Sequence, residues 1–205
     1  MNAKFPAEEM KVFPSSTLHE AYGKRGALPS GIKPVHPSFT VCGPAFPVLS
    51  PPRDNLWLHR AIYAAQPGDV LVVDTGGFYE AGYWGEIMTL AAKERKLAGL
   101  VIDGCVRDGA RLAELGFPVF SRGLCIRGTS KDKEAYGHLN RQVRIGEVAI
   151  SPGDLVVGDL DGVVVIARDQ IGETLDRARR REEEEREIIK RIAAGESTLD
   201  IYNLS

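Results

Sequence analysis

Two short runs of β-branched and apolar residues frame a helix in the middle of the chain, and this arrangement constrains the fold most strongly. The runs are Val70-Leu-Val-Val73 and Leu100-Val-Ile-Asp103, and the segment between them carries a helix from about Glu86 to Lys96. A buried strand, a helix and a second buried strand in this order are typical of a parallel sheet with helices packed on it. The pattern therefore predicts an α/β fold.

Further elements extend the pattern on both sides. Apolar spacing and capping residues predict helices from Ser16 or Thr17 through Gly23, from Asp54 through Ala65, over 109–115, and from about Gln170 to Ala194, the last ended by Gly195. Strands are predicted over 39–42, 118–120, 155–157 and 163–166. A chain of 205 residues suits a single domain. We divide it into an N-terminal arm (1–15), an α/β core (16–168), and a C-terminal helix and tail (169–205) that reaches a neighbouring subunit.

Net charge and cysteine content limit the classes of binding partner and the cellular compartment that we expect for this chain. The formal net charge is -2 and the pI about 6.1, so the chain lacks the broad basic field that nucleic-acid binding requires. Its three cysteines form no CxxC pair, which argues against a disulfide framework or a zinc ribbon. No window approaches the roughly 18 apolar residues of a membrane span. We expect a cytoplasmic protein that binds neither nucleic acid nor membrane.

The chemistry-bearing residues lie at the two ends of the central helix and strand. A helix of about eleven residues rises roughly 16 Å, and a strand of about five residues covers roughly 17 Å. If the strand runs antiparallel to the helix, it brings the chain back almost to the level at which the helix began, because the two lengths are nearly equal. Arg107 and Asp108 then lie beside Gly85–Met88, although they are far apart in sequence.

This predicted cluster suits a small carboxylic acid and a metal ion. The first-turn amides of Glu86, Ile87 and Met88 lack helical acceptors and favour an anion. Arg107 supplies a planar cationic fork, and Asp108 with Glu86 offers oxygen ligands to a cation such as Mg²⁺. The alternative is a surface Arg107–Asp108 ion pair in which Asp108 caps the following helix. The glycines at 76, 77, 82 and 85 favour the site, because they let backbone approach a ligand.

An ordered series of motifs resembles a known family. The motifs are Gly85-Glu-Ile-Met88, Gly99-Leu-Val-Ile-Asp-Gly-Cys-Val-Arg-Asp108, Phe117-Pro-Val-Phe, Pro152-Gly-Asp and Asp161-Gly-Val-Val. They resemble the RraA-like group, which includes class II 4-hydroxy-4-methyl-2-oxoglutarate/4-carboxy-4-hydroxy-2-oxoadipate aldolases and the regulator of ribonuclease E activity A. The resemblance implies a swivelling α/β/β/α-type sandwich, a homotrimer or homohexamer, and a site between subunits.

The resemblance also implies residue roles. Gly85, Glu86, Ile87 and Met88 would bind the carboxylate of a small oxo acid, Arg107 its keto oxygen, and Asp108 a divalent metal, Mg²⁺ or Mn²⁺. Glu20 and Glu185 match acidic positions that act on a neighbouring subunit's metal-bound waters. Glu86 stands where the aldolases carry aspartate. His59 also matches a family segment, although a histidine on a half-apolar helix is by itself more often a core residue whose polar groups are satisfied.

The expected activity is metal-dependent retro-aldol cleavage. The substrate would be a 4-hydroxy-2-oxo di- or tricarboxylate, and the products pyruvate and a second oxo acid, with Arg107, Asp108 and Glu86 as the catalytic residues. Oxaloacetate decarboxylation is an expected side activity, since it forms the same enolate. Two alternatives stay open at this point. One is a non-catalytic ribonuclease-binding regulator, and the other is a related lyase or decarboxylase acting on a different oxo acid.

Overall fold

The computed structural model describes residues 13–204, and most of the predicted N-terminal arm lies outside this range. The helices are α1 (Ser15–Ala21), α2 (Leu56–Ala64), α3 (Glu86–Glu94), α4 (Gly109–Leu115), α5 (Ile171–Ala193) and α6 (Thr198–Ile201). The longer strands are β2 (Val41–Leu49), β3 (Val70–Asp74), β4 (Gly99–Asp103), β11 (Leu155–Gly158) and β12 (Val163–Ile166). The shorter strands are β1 (Lys33–Pro34), β5 (Cys105–Val106), β6 (Val119–Ser121), β7 (Gly123–Leu124), β8 (His138–Leu139), β9 (Val143–Ile145) and β10 (Val148–Ile150).

One eight-stranded sheet organises the molecule. Its strands follow the order β1-β6-β4-β3-β2-β11-β12, and β8 pairs with the free part of β2. Strands β6, β4, β3 and β2 are parallel, whereas β11 and β12 are antiparallel to their neighbours. The register places Asp74 of β3 opposite Asp103 of β4 at the carboxyl ends of the strands.

The sheet curls so that its two halves enclose a shared core. Val72 and Val101 from the parallel half pack in one cluster with Val156 and Val165 from the antiparallel half. A second cluster lies on the outer side of the parallel half, beneath α2, α3 and α4. A third lies between the antiparallel half and helices α1 and α5. The resulting order of layers is helix, sheet, sheet and helix, which confirms the predicted α/β/β/α-type fold in a single domain.

Strand β2 is longer than the sequence predicts. The sequence indicates a strand over 39–42 followed by a Pro-rich segment, yet β2 runs through Pro44 and Pro47 to Leu49. Proline lacks a backbone donor and usually ends a strand. Here β2 changes partners along its length, since its first half pairs with β11 and its second half with β3 and β8. The missing donors therefore fall where the pairing changes.

The C-terminal helix packs on its own core only at its start. Its buried residues are Ile171, Thr174, Leu175 and Ala178. The remaining turns carry exposed apolar residues, including Ile189 and Ile192. Gly195 follows the helix with φ +92°, as the sequence predicts for its end. Within residues 13–204, none of the helices is both long and apolar enough to cross a membrane.

Candidate active site

A short backbone ladder brings the two halves of the predicted site together. The N–H of Tyr83 donates to the carbonyl of Cys105 at 3.0 Å, and the N–H of Arg107 donates to the carbonyl of Trp84 at 2.8 Å. The segment before α3 therefore runs alongside β5 and its continuation. This pairing places Arg107 and Asp108 directly in front of the N-terminus of α3, as the length argument predicts.

The close approach depends on glycine at position 85. A Cβ atom at Gly85 would lie 2.4 Å from Oδ2 of Asp108 and 3.2 Å from Cγ of Arg107. Its φ of -159° is ordinary extended backbone, so the requirement is one of space and not of conformation. Gly82 is similarly crowded, because a Cβ there would lie 2.4 Å from the carbonyl oxygen of Cys125. These glycines allow two loops to meet at the cavity.

Asp108 points at α3 and not at its own helix. Its Oδ2 accepts a hydrogen bond from the N–H of Glu86 at 3.0 Å and lies 3.8 Å from Nε of Arg107. Although Asp108 occupies the N-cap position of α4, its side chain makes no capping hydrogen bond there. Its φ of +61° is unusual for a residue with a side chain, and such backbone is typical of functional sites. The alternative prediction is therefore confirmed for the Arg107–Asp108 ion pair and for the N-cap position, but the Asp108 side chain does not cap α4.

Glu86 is engaged by a second arginine that the sequence did not single out. Arg111 donates from Nε and Nη2 to Oε1 of Glu86, at 3.1 and 2.9 Å, and also contacts Glu114. The Glu86 side chain is consequently directed towards α4, while its backbone amide contacts Asp108. The sequence predicts that the Glu86 carboxylate lies near a metal ion. In the structure this carboxylate also forms an ion pair with Arg111.

These residues surround one cavity of about 560 Å³. Its buried wall includes Asn55, Tyr83, Trp84 and Met88. Asn55 donates from Nδ2 to the carbonyl of Tyr83 at 2.9 Å, which ties α2 to the segment before α3. The cavity is also lined by Gly85, Glu86, Ile87, Arg107 and Asp108. All five predicted substrate-binding residues therefore line a single cavity.

His59 and Lys131 also line this cavity. Burial lowers the pKa of His59 below its ordinary value of 6.5, and nearby Lys131 lowers it further, while Asp54 acts in the opposite direction. His59 is accordingly neutral at pH 7. The sequence did not predict Lys131 or Asn55 as site residues, although Asn55 lies in the same family-like segment as His59. Asn55 and His59 share one face of α2 at a spacing of four residues, which was the available signal.

Glu20 and Glu185 lie away from the cavity. Neither residue lines it, but both contact Arg181, at 3.8 Å for Glu20 and 3.0 Å for Glu185. They thus form one acidic cluster between α1 and α5. The resemblance assigns Glu20 and Glu185 a role at the metal site of a neighbouring subunit. The structure places the two residues close to each other and outside the cavity of their own chain.

The carboxylate oxygens at the cavity suit a hard cation that takes most of its ligands from water and substrate. Residues 13–204 contain no group of three His, Cys, Asp or Glu side chains able to share a metal ion. Oδ1 of Asp108 makes no hydrogen bond or ion pair within those residues and remains available. Magnesium typically takes one or two carboxylates and keeps several waters, so a single free carboxylate oxygen beside a substrate cavity fits it.

Helices on the two outer faces of a curled sheet define a single-domain α/β/β/α protein, and comparison with known proteins specifies its family. The model of the family described as "RraA-like: Aldolase/RraA" matches residues 15–165. The chain belongs to this RraA-like family.

Individual relatives are similar over most of their length. A Halalkalibacterium halodurans protein named "Putative 4-hydroxy-4-methyl-2-oxoglutarate aldolase" is 36% identical over 174 residues, covering 85% of this chain and 82% of that protein. A crystal structure of an uncharacterized protein from Pseudomonas syringae pv. tomato has a TM-score of 0.82 at 30% identity, covering 95% of both chains. Streptomyces coelicolor RraAS2, described as an unusual member of the RNase ES inhibitor RraA protein family, has a TM-score of 0.77 at 30% identity. That match covers 88% of this chain and 93% of the other.

Proposed function

We propose that this protein is a divalent-metal-dependent class II aldolase. It cleaves 4-hydroxy-2-oxo di- or tricarboxylates of the 4-hydroxy-4-methyl-2-oxoglutarate type into pyruvate and a second oxo acid, with oxaloacetate decarboxylation as a side activity. The observation that carries the proposal is the Asp108 carboxylate, held in front of α3 and beside Arg107 in a cavity of suitable size. The names of similar proteins support the same reaction. We place the reaction in the cytoplasm.

The binding end of the cavity positions the 2-oxo acid. The amides of Ile87 and Met88 belong to the first turn of α3, where a helix offers donors and a positive dipole end to a carboxylate. Arg107 carries a permanent charge, lines the cavity, and has a side chain that is half exposed. It stabilises the negative charge that develops on the 2-oxo oxygen when the carbon–carbon bond breaks.

Asp108 is the residue that would hold the metal ion, Mg²⁺ or Mn²⁺. When bound, such a cation supplies Lewis-acid polarisation of the 2-oxo group. Glu86 is paired with Arg111, so we assign acceptance of the substrate's hydroxyl proton to an acidic side chain from a neighbouring subunit. Glu20 and Glu185, joined through Arg181, form the candidate cluster in a homotrimer or homohexamer.

The test is pyruvate release from a panel of 4-hydroxy-2-oxo acids, with and without Mg²⁺ or Mn²⁺. We expect metal-dependent release by the native chain and a loss of at least about 100-fold in kcat/KM for Asp108→Ala, comparable to the loss of a key electrostatic group. Asp132→Ala is the control, because Asp132 is exposed and lies outside the cavity. Unchanged turnover by Asp108→Ala would refute the assignment.

A second candidate is a regulator that binds and inhibits a ribonuclease. It is favoured by the likeness to the Streptomyces coelicolor protein, which is described as an unusual member of the RNase ES inhibitor RraA family. An inhibition assay with an RNase E-type enzyme distinguishes the two. Inhibition combined with no turnover of any oxo acid would favour the regulator, and turnover that depends on Asp108 favours the aldolase.

A further inference from the structure

The cavity contains three cationic side chains that differ in how they are paired. Arg111 is bound by both Glu86 and Glu114. Arg107 is only loosely paired, with its Nε 3.8 Å from Asp108. Lys131 has no ion pair or hydrogen bond through its side chain within residues 13–204. Two cations are therefore available to a ligand, and they lie on different loops.

The backbone around Lys131 is held firmly by a buried carboxylate. Asp54 is 2% exposed, and its Oδ2 accepts hydrogen bonds from Oγ of Ser130 at 2.9 Å and from the N–H of Asp132 at 2.6 Å. Its Oδ1 accepts from the N–H of Leu56 at 2.8 Å, at the start of α2. Both neighbours of Lys131 are thus fixed to the helix that carries His59.

Two further polar residues line the same cavity: His59, which interacts electrostatically with Lys131, and Thr129, two positions before Lys131. The side chains of His59 and Thr129 line the cavity and make no hydrogen bond within residues 13–204. Each can donate to an anion, His59 through a ring N–H and Thr129 through its hydroxyl. A lysine, a neutral imidazole and a hydroxyl together make a site for one carboxylate group.

We propose that Lys131, with His59 and Thr129, binds the second carboxylate of the substrate, while the first-turn amides of α3 bind the first. This inference rests on the proposed aldolase function and identifies specificity-determining residues for it. It explains why one cavity holds Lys131, which has no ion pair within residues 13–204, as well as the loosely paired Arg107. A cavity of about 560 Å³ lies within the roughly 300–1,000 Å³ of ordinary small-molecule sites. Asp54 is a positioning residue that fixes Lys131 through its neighbours.

Binding of two matched ligands tests the proposal without requiring turnover. The ligands are 2-oxoglutarate and 2-oxopentanoate, which share the 2-oxo acid and chain length and differ in the second carboxylate. Calorimetry in the presence of Mg²⁺ gives both dissociation constants for the native chain, Lys131→Met and Lys133→Met. Lys133 is the matched control, since it is exposed and does not line the cavity.

We expect the native chain and Lys133→Met to prefer 2-oxoglutarate. In Lys131→Met, binding of 2-oxoglutarate should weaken by about 10- to 100-fold, the range for losing a charge-assisted contact, and binding of 2-oxopentanoate by less than about threefold. Equal weakening of both ligands, no weakening, or no binding of either ligand by the native chain would overturn the proposal.

The same variants separate this inference from the aldolase assignment. If the native chain releases pyruvate from an aldol substrate but Lys131→Met keeps its preference for 2-oxoglutarate, the carboxylate site is wrong and the aldolase stands. If a preference that depends on Lys131 is found without any turnover, the binding site stands and the aldolase assignment is wrong.

Discussion

Oδ2 of Asp108 accepts a hydrogen bond from the backbone N–H of Glu86 at 3.0 Å, although 22 positions separate the two residues. The contact joins the N-terminus of α3 to the loop that follows β5. It places a carboxylate at the positive end of a helix, where the dipole favours negative charge. The whole candidate site depends on this contact.

Gly85→Ala should disturb this contact directly. The added methyl group would lie 2.4 Å from Oδ2 of Asp108 and must displace it. We expect at least a 100-fold fall in kcat/KM for pyruvate release, because small misplacements of a catalytic group cost about this much. Gly172→Ala is the control, since no atom lies within 4 Å of a methyl group there. A fully active Gly85→Ala enzyme would contradict the proposed geometry.

Glu86→Gln should strengthen the binding of dicarboxylates. The change removes a negative charge from the cavity and releases Arg111 from its strongest partner. We therefore expect the dissociation constant for 2-oxoglutarate to fall by about threefold or more, in line with one added charge-assisted contact. Glu114→Gln is the matched control, because Glu114 also pairs with Arg111 but does not line the cavity. Calorimetry measures both dissociation constants, and weaker binding by Glu86→Gln would contradict the expected contact between the released Arg111 and the dicarboxylate.

The pKa of His59 should rise in Lys131→Met. Burial is the main cause of its lowered pKa, and Lys131 is the second. Removing the lysine charge leaves burial in place, so the pKa should move only part of the way back towards 6.5. NMR titration of the His59 ring reports the change. His138 provides an internal control, since its lowered pKa arises from burial and Arg141 and should stay constant.

The lowered pKa of His59 also makes the free energy of unfolding depend on pH. Because the folded pKa of His59 lies below its unfolded value of 6.5, the unfolded chain binds the proton first as the pH falls. The contribution of His59 is therefore fully present above pH 6.5 and is lost as the pH falls through the folded pKa. Urea denaturation should show that lowering the pH reduces the free energy of unfolding less in His59→Gln than in the native chain. An identical pH profile would contradict a lowered pKa.

Asp54→Ala should destabilise the fold and loosen the loop around Lys131. Asp54 is buried and accepts three hydrogen bonds, from Leu56, Ser130 and Asp132. Leaving these donors without partners should lower the free energy of unfolding by about 3 kcal/mol. Asp132→Ala, on the exposed side of the same loop, should cost less than about 1 kcal/mol. Urea denaturation measures both values.

Ending the chain after Arg181 should dissociate the proposed homotrimer or homohexamer while leaving the domain folded. The buried residues of α5 all lie before this point, and Ala178 is the last of them. The lost segment carries exposed Ile189 and Ile192, and we expect it to contact a neighbouring subunit. Light scattering should report a monomer with a native circular dichroism spectrum. Replacing Ile189 and Ile192 with serine in the full chain should have the same effect, and an intact trimer would refute it.

The sequence by itself determined the alternation of helices and strands and the meeting of Arg107 and Asp108 with the start of α3. These features follow from local periodicity and from the lengths of one helix and one strand, which are short-range properties of the chain. It also predicted α4 with the bounds Gly109–Leu115 that the structure has.

Only the tertiary structure decided which charges are paired. Arg111 binds Glu86 from another helix, and Lys131 enters the cavity on a loop that is fixed by Asp54, 77 positions earlier in the chain. Partner choice among charged side chains depends on long-range packing, because each arginine or lysine has many acidic residues within reach in the sequence. The extension of β2 through Pro44 and Pro47, and with it the curl of the sheet, likewise depends on pairing with strands that are distant in the sequence.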